Sequence, residues 1–173
     1  MEIALLPDNG LKIKGKQVTF VVDSLSAKGK LSADAVLLLG TSQTKDLFSE
    51  GLGVVFQGPG EYEIKGAKVT GFRAEGETMY TLSIDGVSVL VGKVTSAAKA
   101  KDKLHEHDVA VLMADEMLPQ AIMGVMNPSV VSFYGEKAVE NTKSFGGENI
   151  TPVGKYVTTK DKLPSEKELV VLG

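Results

Sequence analysis

Cysteine is absent from the 173 residues, which excludes disulfides, thiolate zinc sites, iron–sulfur clusters and cysteine nucleophiles. Histidine occurs only 2 times, so no site can gather three imidazoles. Basic charge is not in excess. The formal net charge is −3 and the pI about 5.5, whereas a dedicated nucleic-acid binder carries a basic footprint. Long hydrophobic runs are missing too. Ala35 to Leu39, Val109 to Ala114 and Leu169 to Leu172 are the longest, far short of the roughly 20 apolar residues that span a bilayer. Met1 to Asp8 has neither a basic leading region nor an apolar stretch of signal-peptide length. The expected location is therefore the cytoplasm, with no membrane partner, and the sequon Asn149-Ile150-Thr151 is read as accidental.

What remains is an ordinary globular balance, 43% hydrophobic and 24% charged, in a length that suits one domain over 1–173. The first part, about 1–92, is written in short strands separated by turn residues. Ile3 to Leu6 leads to the turn signal Pro7-Asp8-Asn9-Gly10, followed by Leu11 to Ile13 and the β-branched Val18 to Val22. The continuous apolar run Ala35 to Leu39 reads as a strand covered on both faces. Glu61 to Phe72 alternates around Lys65-Gly66, and Thr78 to Ile84 and Val87 to Val91 flank Asp85-Gly86, the pair favoured in a type I′ hairpin. The second part, about 93–173, alternates helix and strand. Helices are expected over Ser96 to Glu106, Asp115 to Met126 and Glu136 to Phe145, with strands at Val109 to Met113, Val130 to Phe133, Tyr156 to Thr158 and Leu169 to Leu172. A meander followed by β–α–β units predicts two packed sheets with helices outside.

Four segments carry chemical suggestions. Gly40-Thr41-Ser42-Gln43-Thr44 follows a buried strand, where a nucleophile elbow would sit, but lacks its last glycine. Ser42 would also need His105 or His107 with Asp108 as its base. His105-Glu106-His107-Asp108 resembles half of a metal-binding motif. It closes a Lys-rich helix, where a solvated helix end is the better reading. Gly86 to Lys93 has one residue too many between its glycines for a phosphate loop, and Val94 stands where a hydroxyl is needed. Gly58-Pro59-Gly60-Glu61-Tyr62-Glu63 reads as a tight structural turn with positive φ at a glycine.

That last segment, with Ile64, Val69-Thr70-Gly71 and Ile84-Asp85-Gly86, resembles the metallo-β-lactamase superfamily, and within it the small L-ascorbate-6-phosphate lactonase-like metal-dependent hydrolases. Ile3 to Ile13, Val21-Val22-Asp23, Ala33-Asp34-Ala35-Val36, Asn127 to Val131 and Leu169 to Leu172 extend the resemblance over nearly the whole chain. It implies an α/β fold of αββα sandwich type. It also implies a His-x-His-x-Asp-His loop after Ala35 to Leu39, where this chain has Gly40 to Lys45. The other implied ligands fall on Asp8, on the stretch Phe72 to Glu77, on Lys93 in place of a bridging aspartate, and on Tyr134 or Gly135. Two histidines cannot fill five places in any register.

The expectation is a metal-free, catalytically inactive member of this fold that serves as a binding or scaffold module without a cofactor. Its candidate ligand-binding residues are Asp23, Ser42, Thr44, Lys45, Glu75, Lys93 and Tyr134. Lys45 and Lys93 would place ammonium groups near the vacated metal positions, close to Asp23 and Glu75, replacing one cation by another. The plainer alternative has both lysines pointing to solvent. Expected partners are a small anion, a second copy of the chain or a metal-binding paralogue. The rival reading is a hydrolase of lactones, esters or phosphoesters with a rebuilt site, using Ser42 as nucleophile and Lys45 as base.

Overall fold

In the computed structural model, residues 1–24, 32–40 and 52–173 are described, the side chain of Leu52 excepted. The opening strands β1 (Glu2–Leu5), β2 (Leu11–Lys14) and β3 (Thr19–Val22) run antiparallel, followed in parallel by β4 (Ala33–Leu38) and β5 (Leu52–Gln57). A second sheet begins with the meander β6 (Gly60–Ile64), β7 (Ala67–Ala74), β8 (Glu77–Ile84) and β9 (Val87–Lys93). It continues through the parallel strands β10 (Val109–Met113), β11 (Val130–Tyr134) and β13 (Glu168–Val171). The short β12 (Lys155–Val157) returns to pair with β1. The sheet orders are therefore β12-β1-β2-β3-β4-β5 and β13-β11-β10-β9-β8-β7-β6.

Alternation explains how the sheets stack. Ile3, Ile13, Phe20, Leu37, Val69, Leu82, Val89 and Val111 are fully buried in one cluster between them, each on the inward phase of its strand. The opposite phase of the second sheet (Leu90, Ala110, Leu112, Val131, Phe133) is also buried, beneath the helices. These are α1 (Val94–Lys99), α2 (Gln120–Met126) and α3 (Ala138–Ser144). Strands covered on both faces read as the continuous apolar runs seen in the sequence. The three described helices lie on this one outer face, through Val94, Ala97, Ile122, Met126 and Ala138. The outer face of the first sheet carries the small cluster of Val36, Leu38 and Val55. The chain is thus a two-sheet α/β sandwich, the expected fold class. No helix among the described residues is long and apolar enough to cross a membrane.

Turn chemistry sets the meander. Asp85-Gly86 joins Ile84 to Val87 with φ of 54° and 80°, the positive pair that a type I′ turn requires. The glycine-rich segment is structural, as expected. Gly58 has φ of 92°, and a Cβ on Gly71 would stand 2.7 Å from the Gly58 carbonyl oxygen and 3.0 Å from the Tyr80 ring. Tyr80, on β8, sends its hydroxyl 3.0 Å to both Leu38 O and Phe56 O. One buried phenol therefore ties the meander to two strands of the facing sheet.

The expected helices all start too early or end too late. Ser96 to Glu106 is helical only as α1, followed by a single 3-10 turn at Lys101–Lys103. Ser96 is inside α1 rather than its cap. Asp115 to Leu118 is not helical, because Pro119 stands at the N-cap of α2 with φ of −64°. Strand β5 has no counterpart in the sequence reading, since Val54-Val55-Phe56 is short and flanked by Gly53 and Gly58.

Candidate functional site at the carboxyl edge of the two sheets

In sheets with parallel strands, ligand sites form beyond the carboxyl ends of the strands. Here β3 ends before Asp23, β9 on Lys93, β10 before Ala114-Asp115, and β11 on Tyr134. Strand β8 runs antiparallel to β9 and so begins at the same edge with Glu77. These five side chains form a charged cluster. Lys93 Nζ donates to Glu77 Oε1, and Ser96 Oγ of α1 donates to Glu77 Oε2 at 2.7 Å. Thr95 holds Asp115 twice, through its amide at 3.2 Å and its hydroxyl at 2.6 Å. Leu39 N donates to Asp23 Oδ1 at 2.8 Å, and the Asp23 amide reaches back to Leu37 O at 3.0 Å. Asp23 itself has φ of 47°, which turns its side chain off the strand end.

The electrostatics follow from one lysine among three carboxylates. Burial raises the Asp23 carboxyl above its ordinary value, opposed by the Leu39 amide and by the positive charge of Lys93. Burial lowers the Lys93 ammonium, but Glu77, Asp23 and Asp115 together hold it above its ordinary value, so it stays charged. Tyr134 is 1% exposed, and burial, with the negative charges of Asp23 and Asp115, pushes its phenol far up. Its hydroxyl is thus a neutral hydrogen-bonding group.

A cleft of about 510 Å³ opens beside this cluster, lined among others by Leu5, Asn9, Met113, Asp115, Glu136 and Leu172. The β1–β2 turn reaches it because Asp8 Oδ2 accepts from Ser24 Oγ at 2.7 Å, pinning that turn to the residue after Asp23. The loop that carries Asp115 is fixed from below by fully buried Asn141 on α3. Its Oδ1 accepts from Leu118 N at 2.7 Å, and its Nδ2 donates to Glu116 O at 2.8 Å.

Of the residues singled out by sequence, Asp23, Lys93 and Tyr134 come together. Ser42, Thr44 and Lys45 lie outside the described residues. Glu75 does not join the cluster. It sits at the β7–β8 turn, 65% exposed, paired with Lys99 at 2.7 Å. Glu77, two residues on, is the partner of Lys93, because the turn Glu75-Gly76 projects outward and β8 begins only after it. Lys93 does not point to solvent: its side chain is 25% exposed and bound to Glu77. Glu77 and Asp115 escaped sequence reasoning. Asp115 had a usable signal, an acidic residue directly after the buried run Val109 to Ala114.

The histidines are elsewhere. The solvated helix end expected for them does not form: α1 stops at Lys99, and His107 is only 5% exposed. Its Nε2 lies 3.1 Å from Thr81 Oγ1 and its Nδ1 2.7 Å from His105 O. His107 precedes β10 while Asp115 follows it. At about 3.3 Å of rise per residue, that separates them by on the order of 20 Å.

No family model matches the sequence, and no curated protein matches it. Solved structures do. A Thermotoga maritima protein assigned to the Zn-dependent hydrolases of the metallo-β-lactamase superfamily superposes with a TM-score of 0.76 at 18% identity, over 99% of this chain and 98% of that one. A Parabacteroides distasonis protein assigned as a metal-dependent hydrolase gives 0.63 at 14% identity, over 98% and 91%. The metallo-β-lactamase fold protein YhfI of Bacillus subtilis gives 0.59 at 10%, over 99% and 95%. The chain has the metallo-β-lactamase fold. The metal centre that this fold implies does not fit the donors at the edge. Among the described residues no group of three or more His, Asp or Glu side chains could hold a metal ion. The carboxylates of Asp23, Glu77 and Asp115 accept from protein donors, one of them an ammonium, and a dinuclear site needs imidazoles that the edge lacks.

Proposed function

We propose that this chain is a non-hydrolysing member of the metallo-β-lactamase fold, working without a metal as a binding or scaffold module. The observation that carries the reading is the position of Lys93. It stands where the family resemblance places a bridging carboxylate, and its ammonium is tied to Glu77 beside Asp23 and Asp115. A fixed cation there balances part of the acidic charge that a metal would otherwise balance, and repels a second cation from its own position. The scaffold around it remains intact, including the cleft of about 510 Å³, a volume in the range of small-molecule sites. In this reading the protein acts in the cytoplasm, alone, as a homo-oligomer or beside a metal-binding paralogue.

The rival is a hydrolase with a rebuilt site, favoured by the assignment of similar structures as hydrolases. Its candidates Ser42 and Lys45 lie outside the described residues. Two assays separate the readings: turnover of lactone, ester and phosphodiester substrates with added zinc or manganese, and covalent labelling by a fluorophosphonate. The binding reading expects neither. Turnover abolished by Ser42→Ala, or labelling at Ser42, would establish the hydrolase. Recognition of a small anion by Lys93 with Ser42, Thr44 and Lys45 would require Lys93 to leave Glu77.

A further inference from the structure

Strand β12 ends one flank of the first sheet and pairs there with β1. Its backbone phase is fixed by hydrogen bonds. Thr158 N donates to Met1 O at 3.1 Å, and Leu5 N donates to Gly154 O at 3.2 Å. Bonded and unbonded pairs alternate in an antiparallel ladder. Ile3 and Tyr156 are therefore a bonded pair, whereas Glu2–Val157 and Ala4–Lys155 are unbonded. The N–H and C=O groups of Lys155 and Val157 thus point away from β1, to the open side, and make no hydrogen bond to a described residue. Tyr156 packs inward against the core, so the Lys155 and Val157 side chains stand on the outer face. Val157 is 60% exposed.

An open strand edge with an exposed valine is a template for another strand. The pattern of β12 fits its own copy. Turned about a two-fold axis at Tyr156, a second copy sets Lys155 opposite its Val157 and Val157 opposite its Lys155. Each facing pair then exchanges both of its backbone hydrogen bonds. Pairing stops there, because Val153 N and O are already bonded to Val171 O and Gly173 N. No like charges are directly opposed, and each Lys155 keeps its own Glu2 at 3.4 Å. The edge strand β6 has the opposite character. Paired with its own copy about Tyr62, it would set Glu61 against Glu63 twice. A lysine on an edge guards it against foreign strands, but at β12 it meets an apolar residue of its own copy. We infer that the chain forms a symmetric dimer through β12, continuing the first sheet of one copy into that of the other. A strand of 3 residues buries less than a permanent interface, so the dimer is weak and reversible. It gives content to the homo-oligomer of the proposed function and does not depend on metal, so oligomeric state and metal content are tested separately.

The test is sedimentation equilibrium of the full chain from about 10 μM to about 1 mM. The expected result is a reversible monomer–dimer equilibrium. Val157→Lys puts an ammonium opposite the second copy's Lys155 and should raise the dimer Kd at least about tenfold. Within its own chain that ammonium lies opposite Glu2, so the monomer fold is kept, checked by an unchanged urea midpoint. Adding Lys155→Glu sets a carboxylate against each introduced ammonium and should restore the dimer. A mere loss of apolar surface would not be rescued in this way. A wild-type chain that is monomeric at about 1 mM would overturn the inference. So would a dimer indifferent to Val157→Lys, or a double variant that stays monomeric. Assembly beyond a dimer would overturn it too, since a two-fold pairing closes on itself.

Discussion

His107 illustrates how a single residue's surroundings change its chemistry. It was expected at a solvated helix end, where its charge would be favoured. Instead it is buried beside Thr81, with the His105 ring tilted against it at 4.4 Å between centroids. Burial and the neighbouring His105 lower its pKa from 6.5, only partly opposed by the His105 carbonyl and Asp108. The unfolded chain therefore takes up this proton at higher pH than the folded one. Stability should be complete above about pH 6.5 and fall as acidification passes toward the lowered folded value. His107→Gln should flatten that slope, read as urea midpoints at about pH 7.5 and about pH 5. An unchanged slope would mean that His107 is not the group responsible. The sequence showed two histidines and a helical composition. It did not show that Ala100 ends the helix and lets the chain double back, because that depends on where Leu104 finds its pocket.

At the scale of elements, most strands were legible because alternation and apolar runs are set by a period of two and by burial. The helices were overextended because Ala- and Lys-rich composition has no stop signal stronger than tertiary context. The same context relocated the acidic partner of Lys93 from Glu75 to Glu77, a matter of turn phase invisible without the register. Two predictions belong here. Tyr80→Phe removes the tie from β8 to β4 and β5 and should cost about 1–2 kcal/mol, measured by denaturant unfolding. Lys93→Met leaves Glu77 without its ammonium. Because the side chains are 25% and 29% exposed, solvent screening should bring the cost below that of breaking a fully buried pair, to about 2 kcal/mol. Adding Glu77→Gln should recover part of it, since the stranded charge is then gone. If the double variant is no more stable than Lys93→Met, Lys93 contributes through packing and not through this pair.

For the whole molecule, fold and chemistry were read from different residues. The glycine-rich turn, the hairpins and the two-sided apolar strands specify the sandwich, and the solved structures of similar proteins share it. The edge that would carry metal chemistry is occupied by a lysine and carboxylates already bound to protein donors. From sequence, the scarcity of imidazoles was visible as a count. The charged arrangement at the edge was not, because Asp23, Glu77, Lys93, Asp115 and Tyr134 come from separate strands or the residues just beyond them. The most direct test of the account is the metal content of tag-free protein purified without chelator and equilibrated with zinc and manganese, measured by elemental mass spectrometry. The expected content is less than about a tenth of a metal per chain, since the described residues offer no preformed donor set to hold one. Near-stoichiometric metal that is lost in Asp23→Asn or Asp115→Asn would contradict it and return the edge to metal-dependent hydrolysis.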